Sequence, residues 1–115
     1  MRFRIPSKAR IIAKKTIVDG IKFDSITEAE FYSSLKLDPS VIHIDCHVPL
    51  TLPGGIRLNI DFIVYKKGDP ISIEAIEVKG FVKEDFKRLR QLFDETHPLG
   101  PMLVFQKKNK KWDVI

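Results

Sequence analysis

The chain has 115 residues, one domain's worth, with 43% apolar residues, 30% charged residues and a net charge of +5 from 20 lysines and arginines against 15 acids. Eight phenylalanines and a tryptophan exclude a disordered polyelectrolyte, the lone Cys46 excludes a disulfide scaffold, and no apolar run approaches the ~18 residues that span a bilayer. Met1 to Ile12 alternate charge and apolarity, without the apolar block and small-residue cleavage site of a signal peptide, so the expectation is a soluble cytoplasmic protein with no membrane partner.

In chain order, Thr16-Ile17-Val18 and Ile21-Lys22-Phe23 flank Asp19-Gly20, a two-residue hairpin signal, because both residues tolerate the positive φ of a type I′ turn. Ser25 stands three residues before Glu28, the spacing of a capping box, and opens a helix to about Leu37, stopped by Asp38-Pro39. Val41 to Leu52 reads as a strand interrupted at Pro49, and Pro53-Gly54-Gly55 as a turn. Ile56, Leu58, Ile60, Phe62 and Val64 alternate with Arg57, Asn59, Asp61, Ile63 and Tyr65, which is a strand with two distinct faces. Lys66 to Pro70 turns the chain into another strand, Ile71 to Gly80. Phe86, Leu89, Leu92 and Phe93 restore helical spacing over 83–96, ended by Pro98-Leu99-Gly100-Pro101. Met102 to Gln106 and Trp112 to Ile115 form a last hairpin. The order β-β-α-β-β-β-α-β-β predicts one α/β domain over 1–115, a central mixed sheet flanked by helices, with residues 1–15 as a basic arm.

Charge is segregated along this order. Arg2, Arg4, Lys8, Arg10, Lys14 and Lys15 occur with no acid before residue 19, and residues 107–111 contain Lys107, Lys108, Lys110 and Lys111. The segment 24–61 is acidic. Such a pattern favours a polyanionic partner.

Four charged residues stand where the pattern calls for apolar ones. On the first helix, Phe31, Tyr32 and Leu35 fall within about 60° of Glu28, so this acid sits in the middle of the buried stripe. A capping-box glutamate explains its type but not that position. In the strand 71–80, period two puts Ile71, Ile73, Ala75, Glu77 and Lys79 on one face, so an apolar face ends in a carboxylate and an ammonium roughly 7 Å apart. Residues 61 and 77 are equidistant from position 69 in the connecting turn, which sets Asp61 opposite Glu77 to within a residue or two. Two adjacent carboxylates repel and need a compensating cation. Lys79 supplies one charge, and Mg²⁺ suits the remainder, because it binds through one or two carboxylates, keeps several waters and contacts phosphate oxygens.

At these residues the chain resembles the PD-(D/E)XK nuclease superfamily, and within it small, mostly phage-encoded endonucleases of the Holliday-junction-resolving type. The resemblance runs from about Val18 to Pro98 and is strongest over Asp19 to Tyr32, Asn59 to Phe62 and Glu77 to Gly80. It departs at Ile60, which stands where the name-giving proline would be. It implies a restriction-endonuclease-like fold and a Mg²⁺-dependent, structure-selective DNA endonuclease, with Mn²⁺ able to substitute and a homodimer acting on four-way junctions in the cytoplasm, the host's if phage-encoded. Carried over, Asp61, Glu77, the Val78 carbonyl and Glu28 hold the metal, and Glu28, Asp61, Glu77 and Lys79 form the catalytic set. On the second helix Lys83, Lys87 and Arg90 form a stripe that borders this site, and the resemblance implies an assisting role for Gln91. With Arg2, Arg4, Lys8, Arg10, Lys14, Lys15, Lys107, Lys108 and Lys110, the stripe would grip phosphates in a salt-sensitive way. A catalytically inactive nucleic-acid-binding accessory protein, a flap or nicking endonuclease and a restriction-like subunit stay open at this point. His43, Asp45 and His47 share a strand face, with Cys46 on the other; ordinary strand polarity accounts for them better than zinc, which wants four ligands at recognised spacing, and Cys46 is read as a small buried residue.

Overall fold

The structure, a computed structural model, describes residues 15–80 and 82–115. Arg2, Arg4, Lys8, Arg10 and Lys14 of the basic arm lie outside the described residues. All nine expected elements occur in the expected order: β1 (Thr16–Val18), β2 (Ile21–Phe23), α1 (Ile26–Leu37), β3 (Val41–Leu52), β4 (Ile56–Lys66), β5 (Ser72–Lys79), α2 (Glu84–Thr96), β6 (Leu103–Lys108) and β7 (Lys111–Val114). They make an α/β fold that divides into two compact units, Met1–Leu37 and Asp38–Ile115. No helix among the described residues is long and apolar enough to cross a membrane.

In the N-terminal unit, Asp19 and Gly20 both take positive φ, 53° and 77°, and close β1 onto β2 with Val18 opposite Ile21. This is the turn geometry that Asp-Gly favours. The Ser25 hydroxyl accepts the Glu28 backbone N–H at 3.0 Å, satisfying one of the donors a helix leaves open at its start. The buried side of α1 is Glu28, Ala29, Phe31, Tyr32 and Leu35, the stripe that helical spacing predicts, while Glu30 is exposed. The Tyr32 hydroxyl donates to Asp19 at 3.0 Å and its ring meets Phe23, which is fully buried, at 5.1 Å.

The C-terminal unit is a five-stranded mixed sheet in the order β3-β4-β5-β6-β7, parallel only between β5 and β6, where α2 makes the crossover. Phe86 and Phe93 on α2 are buried against Leu52, Leu58, Ile60, Ile63, Ala75, Met102 and Val104, with Leu89 and Leu92 partly buried at the margin. The return from α2 to β6 is tight. Asp94 accepts the Met102 N–H at 2.7 Å, and a Cβ on Gly100 would lie 2.9 Å from the Asp94 Cα, so the position needs glycine.

Two details of the strands differ from the sequence expectation. Pro49 does not interrupt β3, which runs unbroken with Pro49 opposite Asn59. The strand is an edge of the sheet, where a proline's missing N–H can face the unpaired side. The alternation of β4 also changes phase. Leu58 and Ile60 share the buried cluster with Ile63, whereas Phe62, fully buried, stands apart from it. The change falls at Asp61 and its cross-strand neighbour His47, which has φ of 54°. The ladder keeps step on either side, Cys46 opposite Phe62 and Val48 opposite Ile60, so neither strand gains a residue.

Candidate functional site

Asp61 and Glu77 meet where this phase change reaches β5. The β4–β5 ladder ends with Phe62 opposite Ile76, and Asp61 and Glu77 follow just beyond it on the adjacent strands. There the two carboxylates engage the opposite strand's backbone. The Asp61 N–H donates to Glu77 Oε1 at 2.7 Å, and the Val78 N–H donates to Asp61 Oδ2 at 2.9 Å. Each bond is charge-assisted and fixes one carboxylate against the opposite strand. A strand residue sends its N–H and C=O toward the same neighbour, so the Val78 carbonyl also points to the β4 side, where Asp61 lies.

Glu77 is 2% exposed, on the face where Ala75 belongs to the core. Burying a carboxylate this deeply costs free energy unless it is hydrogen-bonded and paired. The Asp61 N–H answers the first need. Lys79 answers the second, with Nζ 3.4 Å from Glu77 Oε2. The same Nζ lies 4.4 Å from the centroid of the Phe86 ring, within cation–π range. Lys79 is thus held between an acid of its own strand and an aromatic of α2's first turn. Gln106, paired with Lys79 across the parallel ladder, donates its side-chain amide to the Gly80 carbonyl at 2.6 Å and anchors the end of β5.

A cleft of about 490 Å³ opens at this point, lined by Leu58, Asn59, Glu77, Lys79, Gly80, Lys83, Asp85, Phe86 and Leu89. Glu77 and Lys79 thus stand at its wall together with Lys83, Asp85 and Asn59, beside the apolar Leu58, Phe86 and Leu89. Asn59, Phe86 and Gln106 were not among the expected site residues. Helical spacing assigned Phe86 to the core, which is correct, but its contact with Lys79 comes from the packing of α2 over β5. The role of Gln106 follows from a parallel pairing between strands separated by a helix, which no local pattern reveals.

The other expected residues are distributed as follows. Glu28 is 6% exposed on α1, in the N-terminal unit. Lys83, Lys87 and Arg88 are exposed on α2, and Lys87 also contacts Glu84 at 3.1 Å. Arg90 is half-buried and donates to the Met102 carbonyl at 3.2 Å, so it ties α2 to the start of β6. The Gln91 amide is engaged by Glu95 at 3.1 Å on the exposed side of the helix. Lys15, Lys108 and Lys110 are exposed, and Lys107 is half-buried.

On β3, His43 Nε2 lies 2.7 Å from Asp45, whose other oxygen accepts the Tyr65 hydroxyl at 2.9 Å. Those hydrogen bonds, from His43 first and Tyr65 second, hold the Asp45 carboxyl below the usual carboxylate range. The same bond to Asp45 pushes the Tyr65 phenol up. Tyr65 joins this cluster because it is the ladder partner of His43. Cys46 is half-buried, not buried. Among the described residues no three His, Cys, Asp or Glu side chains converge as a metal-ligand set.

Two carboxylates held side by side, with a backbone carbonyl aimed between the strands, fit a hard divalent cation that takes oxygen ligands and keeps several waters. The backbone N–H bonds do not exhaust the carboxylates, since each oxygen offers two lone pairs. Searches against protein-family models, curated proteins and solved structures return no match to this chain.

Proposed function

We propose that this protein is a Mg²⁺-dependent, structure-selective DNA endonuclease, in the first place a Holliday junction resolvase acting as a homodimer in DNA recombination. One observation carries the reading: Asp61 and Glu77 are clasped across adjacent strands, with Lys79 two residues on at the wall of a cleft. A structural ion pair needs one acid and one base. Here a second acid is placed against the first and oriented by backbone donors, an arrangement that makes sense around a cation.

Asp61, Glu77 and the Val78 carbonyl would hold Mg²⁺. When bound, the metal supplies Lewis-acid polarisation of a phosphate oxygen and a water of lowered pKa. Lys79 would orient the attacking water and oppose the negative charge that develops on the phosphate. The exposed Lys83 and Lys87 on α2, with the hairpin lysines, bind the phosphate backbone without reading sequence. A two-fold dimer would match the two symmetry-related cuts that resolve a four-way junction.

The test compares a four-way junction, a flap, a nicked duplex and a linear duplex of matched sequence, with Mg²⁺ present. Paired symmetric nicks confined to the junction are the expected result, with D61N and E77Q losing cleavage but keeping DNA binding. Cleavage of the flap or nicked duplex instead would redirect the substrate assignment. No cleavage of any DNA with Mg²⁺ or Mn²⁺ would replace the enzyme with a nucleic-acid-binding accessory protein.

A further inference from the structure

The cleft at the end of β5 has a sheet wall and a helix wall, and each offers a polar group that the fold leaves unengaged. On the sheet wall Asn59 of β4 is exposed beside the buried Leu58. On the helix wall Asp85 is exposed in the first turn of α2, next to the buried Phe86. Among the described residues no side-chain hydrogen bond or ion pair engages either group. Their elements do not account for them. Asparagine is depleted from strands. The acid that favours a helix start is already supplied by Glu84, which also pairs with Lys87 at 3.1 Å.

A phosphate does not account for this lining either. Lys79 suits an anion, since its ammonium has three N–H donors to share between Glu77 and a ligand. A free carboxylate, however, repels phosphate, and a neutral amide beside Leu58, Phe86 and Leu89 adds nothing to its binding. The heterocycle of a nucleotide uses every part, because it joins flat apolar faces to an edge of donors and acceptors. The cleft, about 490 Å³, is of the size that holds small ligands. A carboxylate accepts from the exocyclic amine of cytosine, whereas thymine presents a carbonyl at the same place and is repelled. We infer that the cleft seats one unpaired DNA base, preferentially one with an exocyclic amino group. Asp85 accepts from that amine, Asn59 bonds the edge beside it, and Lys79 meets the phosphate of the same nucleotide. The inference deepens the endonuclease reading and rests on it for DNA as the ligand. It also gives that reading a physical basis for preferring branched substrates, since drawing a base from the stack costs least where it has no partner.

The intact chain is titrated, without divalent metal, with labelled duplexes and followed by anisotropy. One duplex is fully paired, and the others carry at one position an extra unpaired cytosine, thymine or abasic residue. The unpaired cytosine should bind about fivefold or more tighter than the other three. Asp85→Asn, whose amide can donate as well as accept, should bring cytosine and thymine to within about twofold of each other. Asn59→Leu should weaken the cytosine duplex about fivefold and leave the fully paired duplex unchanged. Cytosine binding no better than the abasic residue, an unchanged preference in Asp85→Asn, or unchanged cytosine binding in Asn59→Leu would each overturn the inference. The comparison of duplexes uses the unmodified protein, so it decides the matter even if a variant does not fold. DNA binding without base preference overturns this inference alone and leaves the endonuclease reading standing. Cytosine preference without cleavage in Mg²⁺ supports it while that reading falls, and binding to none of the four duplexes overturns both.

Discussion

The reciprocal clasp between Asp61 and Glu77 separates two jobs that one aspartate performs, and two substitutions tell them apart. Asp61 accepts the Val78 N–H, a structural task, and under the proposal it also offers its charge to a cation. Asp61→Ala removes both, whereas Asp61→Asn keeps an acceptor oxygen and removes only the charge. A backbone N–H left without a partner costs about 1–3 kcal/mol. Val78 is half-buried, which places the cost toward the lower end, about 1–2 kcal/mol. For a chain of this size each kcal/mol moves Tm by about 4 °C, so Asp61→Ala should melt roughly 4–8 °C below wild type and Asp61→Asn within about 2 °C of it. Differential scanning calorimetry measures the first effect, and Mg²⁺-dependent cleavage of a four-way junction measures the second, in which both variants should be inactive. Equal melting temperatures for the two variants would show that Asp61 does not support Val78. Cleavage by Asp61→Asn would remove Asp61 from the proposed metal set.

Lys83 is the N-cap of α2 with extended backbone and no side-chain cap, so Lys83→Ser should raise stability by about 1 kcal/mol in urea unfolding while weakening DNA binding. A loss of stability, or unchanged DNA affinity, would contradict one or other half of this expectation. Asp45 and Tyr65 make the stability pH-dependent at both ends. The lowered Asp45 carboxyl stabilises the fold above its ordinary titration range, and that contribution is lost as pH falls through the lowered value. The raised Tyr65 phenol stabilises the fold below about pH 10, and that contribution is lost as pH rises through the raised value. Tyr65→Phe should therefore flatten the alkaline limb of the stability curve and shrink the acidic one; an unchanged alkaline limb would mean that the bond to Asp45 does not form.

How much of this was readable from sequence depended on whether the cause was local. Asp19-Gly20, the Ser25 cap and the apolar stripe of α1 act within a turn or two of chain, and each behaves as its residues dictate. The pairing of Asp61 with Glu77 was legible too, because two strands joined by a short turn inherit their register from its centre. The phase change in β4 was not. It coincides with a left-handed backbone at His47, on another strand, and the alternation of β4 by itself continues smoothly through Asp61. Nor could residue spacing set Phe86 over Lys79 or Gln106 against Gly80, since both contacts depend on a helix crossing between parallel strands. The division into two units at Leu37 was equally hidden, because Asp38-Pro39 reads as an ordinary helix stop.

The clasp gives the protein a spectroscopic handle that lies outside its side chains. Two backbone amides, those of Asp61 and Val78, donate to carboxylates where strand amides normally donate to carbonyls. Anything that withdraws electron density from those oxygens weakens both bonds together and moves both amide proton resonances. In a ¹⁵N-correlated spectrum this pair of peaks would register a cation arriving at the site before any DNA is added or any bond is cut, and their exchange with deuterium would slow or quicken with the state of two side chains instead of with the strands themselves.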